Sequence, residues 1–523
     1  MINVADLPED IDVLKAIIIA QQDKNTRLEL LVRAFKQAMF GRKSEKINPD
    51  QFELALEDIE TAMACIKAED SPLDDVAAPV TPKTRAANRG ALPRHLPRIE
   101  EIIAPESKQC SCGNDLHVIG EDVSERLDII PAQFRVIVTH RPKYACRSCE
   151  AGIIQAPAPA RLIHAGLPTE ALVAHVLVSK YADHLPLYRQ AQIYSRQGID
   201  LDRSTLANWV GKAAFELKPV FDCLLDDLKT SHKLFMDETR APVLDPGRCK
   251  TKTGYFWALA RDDRPWYDPG HDPGSGDAPP EEVPPPGVAY TYAPGRSGVF
   301  AENILDGFSG ILQVDGYAGY NRLTKADRVG GAIELAYCWA HARRKLYDVA
   351  RNSTAPIAEE GLKYIAALYR IEADIKGQAA ETRLAQRQAR SVPLMDAFES
   401  WLRQNRARVS RKSPLGEALS YIDKFWQGLT LYLRDGRVEM DNNAVERTIR
   451  PIALNRKNAL FAGHDKGAEN WAIIASLIET AKLNKIEPHA YITATLQAII
   501  AGHKQNQIKK LLPWNYPASL NSG

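Results

Sequence analysis

Two apolar segments in the middle of the chain each lead directly into an aspartate, and this pattern constrains the fold more than any other feature of the sequence. The segments are "LFMDET", which contains Asp237, and "ILQVDGY", which contains Asp315. Mostly apolar strands are typical of a sheet that is covered on both faces. An acid at the carboxyl end of such a strand projects into the crevice where α/β sheets bind ligands. The two segments therefore predict a covered sheet with two carboxylates in one crevice.

The surrounding sequence extends this prediction to a whole domain. Further strand-like segments are "GYFWALA", "VAYTYAP" and "IELAYCWAHARRKLYD", and long helical patterns follow them. The predicted domain covers residues 231–480, with an acidic Pro/Gly-rich loop at 261–287 and a helical insertion at about 342–435. Residues 481–523 are predicted to form a further helical segment.

The two aspartates predict a metal site with a third carboxylate. Carboxylates placed together repel unless a cation lies between them, and Mg²⁺ is the hard, oxygen-seeking ion that suits this role. A two-metal phosphoryl-transfer site needs another acid, and the candidate is Glu446 in "DNNAVERTIRPIALNRKN". It is the one acid between Asn442 and Lys457. The cations around it that could hold DNA phosphates are Arg447, Arg450, Arg456 and Lys457.

Other interpretations of the acids remain open. Asn443-x-x-Glu446 also matches a capping box at the start of a helix, in which case Asp441 is the substitute third carboxylate. Glu238 follows Asp237 directly. Strand alternation points it to the opposite face, which favours a structural role.

Four of the eight cysteines form two close pairs, C-x-C and C-x-x-C, with 33 residues between them. Two such pairs brought together by a β-hairpin make a tetrahedral zinc site, so we predict a zinc-binding module over residues 99–160. The first pair is one residue shorter than the favoured spacing. Cys338-x-x-His341 has no partner pair nearby, which favours a buried cysteine and a polar histidine over a second metal site. The predicted zinc ligands are Cys110, Cys112, Cys146 and Cys149.

Residues 161–230 contain three helical patterns with a short turn between the second and the third. Gly198 is expected to end the second helix, and Asp202 or Ser204 to cap the third. This arrangement is typical of a helix-turn-helix, although a plain three-helix packing module has the same pattern. In the helix-turn-helix the residues facing the DNA groove are Arg203, Ser204, Thr205 and Asn208.

The N-terminal part of the chain adds two segments. Residues 1–67 are predicted to be a helical leader, whose apolar pattern fits either a short coiled coil for dimerisation or an amphipathic helix packed on its own chain. Residues 68–98 are a Pro-rich linker whose second half, "KTRAANRGALPRHLPR", carries no acid. This basic arm contacts phosphates or serves as a solvated tether.

The length, net charge and apolar content of the chain limit the class of protein it can be. A length of 523 residues suggests three or four domains, and a net charge of +1 does not exclude basic patches. No run of about 18 apolar residues occurs, and the N-terminus is acidic before its apolar stretch. We therefore expect a cytoplasmic protein without membrane contacts.

Several long stretches resemble the large transposase of the bacterial insertion-sequence 66 family. They include "FGRKSEK", "VDGYAGYNRL", "CWAHARRKL" and the segment from "DNNAVERTIRP" to "AKLNKIEP". The resemblance implies a multidomain α+β and α/β chain: an RNase H-like catalytic domain with a helical insertion, preceded by a helical leader, a small zinc module and a helix-turn-helix. It assigns the Asp-Asp-Glu triad to Asp237, Asp315 and Glu446. One departure is the spacing of Cys110 and Cys112, since the family usually separates these two ligands by two residues.

The resemblance also implies an activity and its partners. The expected enzyme is a metal-dependent DNA transposase that cuts the ends of an insertion sequence and joins the 3′-hydroxyls to target DNA by two-metal phosphoryl transfer. Its expected cofactors are Mg²⁺ or Mn²⁺ at the triad and Zn²⁺ in the N-terminal module. Its expected partners are double-stranded DNA, further copies of the chain and companion proteins of the same element. The alternative is a catalytically inactive, transposase-derived DNA-binding regulator.

Overall fold

A computed structural model describes residues 133–145, 153–163, 166–245, 250–266, 284–352, 355–459 and 462–516. The chain divides into two compact units, one of residues 73–159 and the other of residues 1–72 with 160–523. The predicted leader, the basic linker, the four zinc-ligand cysteines and most of the acidic loop lie outside the described residues.

The described part of the smaller unit contains a two-stranded antiparallel sheet. Strand β1 (Lys143–Ala145) pairs with β2 (Ile153–Gln155). The Arg141 guanidinium donates to the Ala156 carbonyl at 3.0 Å, and Gln155 Nε2 donates to the Arg141 carbonyl at 2.8 Å. These side-chain bonds extend the hairpin by one step beyond its backbone ladder.

The first helices in the described part of the larger unit are α1 (Glu170–Tyr181), α2 (Leu187–Ser195) and α3 (Arg203–Lys229). Gly198 ends the turn after α2 with a φ of 77°, a backbone conformation that favours glycine. Asp202 occupies the N-cap position of α3. This third helix runs through Pro219 to Lys229, because a buried apolar stripe continues behind the proline.

A mixed five-stranded sheet follows, in the order β5-β4-β3-β6-β7. Strand β4 runs antiparallel to both of its neighbours, β3 and β5, whereas β3, β6 and β7 are parallel to one another. The predicted strand segments are all present, as are helices on the sheet, so the fold is of the α/β type. The strands are β3 (Lys233–Asp245), β4 (Lys250–Arg261), β5 (Gly287–Ala293), β6 (Ile311–Val314) and β7 (Glu334–Tyr337); α4 (Gly298–Ile304) lies between β5 and β6.

Helices flank both outer strands of this sheet. At β5, the backbone N–H groups of Val288 and Tyr290 donate to Thr480 Oγ1 at 3.1 Å and Ser476 Oγ at 2.8 Å. At β7, Gly428 approaches so closely that a Cβ there would lie 2.5 Å from the Leu335 carbonyl oxygen. The backbone groups of the β5 edge are thus paired with helix side chains.

Between β7 and the helix that carries Glu446 lies a helical insertion with its own apolar core. Trp339, Phe398 and Trp401 are buried in this core, and Trp339 Nε1 donates to the Leu429 carbonyl at 2.7 Å. Its helices are α5 (Trp339–Asn352), α6 (Pro356–Asp374), α7 (Ala380–Gln386), α8 (Val392–Arg408), α9 (Pro414–Lys424) and α10 (Trp426–Leu429), with a π-helical turn at Arg387–Ser391.

The insertion also buries charge. Glu372 accepts from Arg387 Nε at 2.8 Å and from Arg387 Nη2 at 2.7 Å. Arg383 lies 3.5 Å from the same carboxylate and 2.9 Å from Glu439. Both guanidinium groups are almost completely buried, so these ion pairs join the insertion to the segment that precedes Glu446.

The last three α-helices of the described chain are α11 (Asn443–Ala459), α12 (Asp465–Leu483) and α13 (Pro488–Ile500). Helix α11 packs on β3 and β4, and α12 packs on β5 and α3. Among the described helices, none combines the length and apolar character that a bilayer-spanning helix requires.

Candidate active site

Asp237 and Asp315 lie at equivalent positions on the neighbouring parallel strands β3 and β6. The last pair of this ladder is Phe235 with Gln313, and each aspartate follows two residues later in the chain. Residues two apart point to the same face, so both carboxylates project from one face of the sheet. Asp315 follows the carboxyl end of β6 as the sequence predicts. Asp237 instead lies inside β3, which continues to Asp245 because β4 still pairs with it there.

Glu446 lies in the first turn of α11. The carbonyl of Asn442 accepts the first intrahelical bonds, from Val445 and Glu446, so Asn442 is the N-cap. Glu446 is therefore one position beyond the site that a capping box requires. The backbone N–H of Asn443 donates to Asp441 Oδ1 at 3.0 Å. Asp441, one residue before the N-cap, thus satisfies the first N–H of the helix, and the capping-box interpretation of Glu446 is wrong.

Gln313 fixes the start of α11 against the sheet. Its side-chain amide donates to the carbonyl of Glu439 at 2.9 Å and of Asp441 at 3.3 Å, and its Oε1 accepts from the Glu439 N–H at 2.9 Å. Gln313 is 1% exposed and shares a strand face with Asp315. The segment that leads into Glu446 is thus held over the face that carries the two aspartates.

The three acids interact electrostatically. Burial raises the pKa of Asp237 well above its usual range, and the charges of Glu238, Asp315 and Glu446 raise it further. The backbone N–H of Glu238 donates to Asp237 Oδ1 at 2.8 Å, and that of Tyr317 donates to Asp315 Oδ1 at 2.9 Å. Such a desolvated group of like charges favours a bound cation.

Glu238 has side-chain partners of its own, and its structural role stays a prediction. Its side chain is 0% exposed, and it accepts from Arg296 at 2.5 Å and from Tyr320 Oη at 2.7 Å. The Arg296 guanidinium stacks 4.0 Å from the Tyr317 ring centroid and interacts with the Asp315 charge. Sequence reasoning missed this arginine, because "APGRSG" reads only as a polar turn.

Cys338 and His341 lie beside Glu446, which sequence spacing did not predict. Sγ of Cys338, a ring nitrogen of His341 and a carboxylate oxygen of Glu446 all lie within 4.8 Å of one another. His341 Nδ1 is 4.0 Å from Glu446 Oε1. Burial raises the pKa of the Cys338 thiol far above its usual range. In the sequence, Cys338 and His341 have no partner pair close by. In the structure their neighbour is Glu446, which follows the helical insertion along the chain.

The predicted cations of α11 divide into two groups. Arg447 and Arg450 are exposed, and the charge of Arg447 acts on Asp262 and Asp441. Arg456 turns back to β3, where it donates to the Arg240 carbonyl and lies 3.3 Å from Thr239 Oγ1. Lys457 is half-buried.

The predicted groove-facing residues lie at the N-terminal end of α3. Within this set, Thr205 is half-buried and the other three side chains are exposed: Arg203, Ser204 and Asn208. A DNA-reading role for this helix end stays a prediction.

Comparison with protein families gives four matches along the chain. The model described as "Transposase IS66 family" matches residues 165–470, a range that holds all three carboxylates. The model "zinc-finger binding domain of transposase IS66" matches residues 107–150, which contain the four paired cysteines. The models "Transposase C of IS166 homeodomain" and "IS66 C-terminal element" match residues 27–100 and 476–514.

Three proteins of Sinorhizobium fredii are similar over nearly the whole chain. The uncharacterized protein y4jD is 43% identical over 98% of this chain and 97% of its own length. The uncharacterized protein y4qI is 40% identical over 99% of both chains. The uncharacterized protein y4hP is 37% identical over 94% of this chain and 88% of its own.

Proposed function

Because the chain belongs to the IS66 transposase family, we propose that it cuts DNA at the ends of an insertion sequence and joins the 3′-hydroxyls to target DNA. Asp237, Asp315 and Glu446 are the proposed metal-binding carboxylates. The observation that carries this assignment is their convergence: two come from adjacent parallel strands and the third from a helix fixed over the same face.

The proposed catalytic domain is RNase H-like. The strand order β5-β4-β3-β6-β7, with an antiparallel hairpin on one side of β3 and parallel strands on the other, supports this assignment. The helical insertion between β7 and α11 and the position of the acids on the central strands are consistent with it.

The carboxylates fit a divalent cation of the Mg²⁺ type. Carboxylate oxygens are the ligands that Mg²⁺ or Mn²⁺ prefers, and a buried Asp237 among like charges needs a compensating positive charge. When bound, such ions lower the pKa of an attacking water or 3′-hydroxyl and stabilise the leaving oxygen. The backbone N–H bonds to Asp237 and Asp315 orient the two side chains before any cation arrives.

Surrounding residues would position the DNA. Arg447 and Arg450, exposed on the helix of Glu446, are placed to hold phosphates next to the carboxylates. The exposed start of α3 is proposed to enter a groove, and the N-terminal cysteine pairs are proposed to hold Zn²⁺. A synaptic assembly of several copies, with companion proteins of the same element, belongs to the same proposal.

The test is cleavage of DNA that carries the element's ends, in the presence of Mg²⁺ or Mn²⁺. We expect Asp237→Asn and Glu446→Gln to abolish cleavage and strand joining while leaving DNA binding intact, because a ligand is lost but the DNA contacts remain. Asp374→Asn, an exposed acid of the insertion, is the matched control and should cleave normally. Cleavage by both site variants would refute the triad. DNA binding without cleavage by the unaltered protein would favour the inactive regulator.

A further inference from the structure

We propose a second metal site, formed by Cys338, His341 and Glu446, that binds one Zn²⁺ ion and shares its glutamate with the carboxylate triad. The site goes beyond the proposed DNA chemistry and is distinct from the N-terminal cysteine module. Its evidence is the convergence of a sulfur, an imidazole nitrogen and a carboxylate oxygen within 4.8 Å of one another.

The donor set selects the kind of metal. A thiolate is a soft ligand and imidazole suits Zn²⁺, whereas Mg²⁺ prefers oxygen ligands alone. Three protein ligands with a fourth position left for water are the usual number in an open zinc site. The cluster therefore differs in chemistry from the all-oxygen group of Asp237 and Asp315, although it lies next to it.

One feature beyond proximity points to a ligand. Nδ1 of His341 is buried and makes no hydrogen bond with any other described residue. A buried polar atom without a partner calls for an unseen ion or water.

The distances allow a zinc ion after a small movement. Zinc bonds of about 2.0–2.3 Å in a tetrahedron place ligand atoms roughly 3.4–3.6 Å apart. His341 Nδ1 and Glu446 Oε1 are 4.0 Å apart, and the Glu446 side chain is 40% exposed. A rotation of this side chain can shorten its distance to His341. Binding would transfer the Cys338 thiol proton to water and form the sulfur–zinc bond.

A shared glutamate has a consequence that rests on the proposed function. With one oxygen of Glu446 held by zinc, the second oxygen stays available to the ion at Asp237 and Asp315. The zinc site would then orient the third carboxylate, which otherwise stands half-exposed at the start of α11.

The test measures bound metal in the full chain. The unaltered protein, Cys338→Ala, His341→Ala and the control Cys223→Ala are loaded with Zn²⁺, passed over a desalting column and analysed for zinc per chain. We expect one equivalent fewer in Cys338→Ala and in His341→Ala, and no change in the control. Because the N-terminal cysteines are intact in all four proteins, they contribute equally.

Co²⁺ loading gives a second reading. His341→Ala should lose part of the visible absorption of tetrahedral Co²⁺, and Cys338→Ala should also lose part of the thiolate charge-transfer band. Since the His341 side chain is 35% exposed, its variant should fold even where Cys338→Ala does not, which circular dichroism checks. Equal zinc content in the unaltered protein and in folded His341→Ala would overturn the proposal. DNA cleavage does not enter the measurement, so its outcome is separate from that of the proposed function.

Discussion

Replacing Glu372 by glutamine should strongly lower the stability of the helical insertion, although the two side chains have almost the same shape. The carboxylate forms two bonds of 2.8 and 2.7 Å with Arg387 and lies 3.5 Å from Arg383. Glu372→Gln keeps the shape but removes the negative charge. Arg387, which is 0% exposed, would then have only neutral acceptors, namely the glutamine oxygen and the carbonyls of Tyr432 and Asp435. Leaving a buried charge without its partner costs about 3–5 kcal/mol.

A matched control lies two positions further along the same helix. Asp374 pairs with Arg390 at 2.6 Å, but the two side chains are 58% and 41% exposed. Exposed ion pairs contribute about 0–1 kcal/mol, so Asp374→Asn should change little. The same charge change at the two acids thus isolates the effect of burial.

Hydrogen exchange followed by mass spectrometry is the appropriate assay, because a chain of several domains does not unfold in one step. Peptides from α6 to α8 should exchange about 100 to 5,000 times faster in Glu372→Gln, which corresponds to about 3–5 kcal/mol. Peptides from β3 and β4 should be unchanged. Equal protection in the two variants would refute the reasoning that burial makes this ion pair costly to break.

Three further predictions concern the surroundings of the site. Burial, with the charges of Glu439 and Glu446, raises the pKa of Asp441 to about 6, so the ionised acid destabilises the fold increasingly as pH rises from about 4 to 6. Asp441→Asn should therefore gain up to about 3 kcal/mol above pH 6 in the hydrogen-exchange protection of α11, and a loss there would contradict this sign. Gln313→Leu should cost about 1–3 kcal/mol for each carbonyl left without a donor, measured in the same assay, and equal protection of α11 would argue against its anchoring role. Arg450→Ala should lower the slope of log affinity against log salt by about one in DNA-binding titrations, and an unchanged slope would remove it from the interface.

The sequence predicted the parts of the site that depend on local pattern. Apolar runs that end in acids identified the strands of Asp237 and Asp315, and the helical pattern around Glu446 identified α11. The start of this helix could not be settled from the sequence, because a capping box and a metal-binding glutamate fit the same local spacing. The structure rejects the capping box, because the first helical bonds go to the Asn442 carbonyl and the Asn443 N–H donates to Asp441.

Features that depend on distant segments could not be predicted from pattern. The neighbours of Cys338 and His341 include a glutamate that follows only after the whole helical insertion. The buried arginines of the insertion look like ordinary surface cations in the sequence, because their acidic partners come from other segments. Helix α3 runs through Pro219, where local pattern alone indicates a helix end.

The pairing of the β5 edge with α12 has a consequence for synthesis of the chain. All strands of the five-stranded sheet have been synthesised once the ribosome has added Tyr337. Ser476, whose hydroxyl bonds to β5, follows 476 − 337 = 139 residues later. At about 5–20 residues per second, a ribosome needs roughly 7–28 s to cover that distance. During this interval the N–H groups of Val288 and Tyr290 have no helix to bond to. Nascent chains on neighbouring ribosomes could pair along this open strand, which makes the period before α12 emerges the one in which a chaperone is most needed.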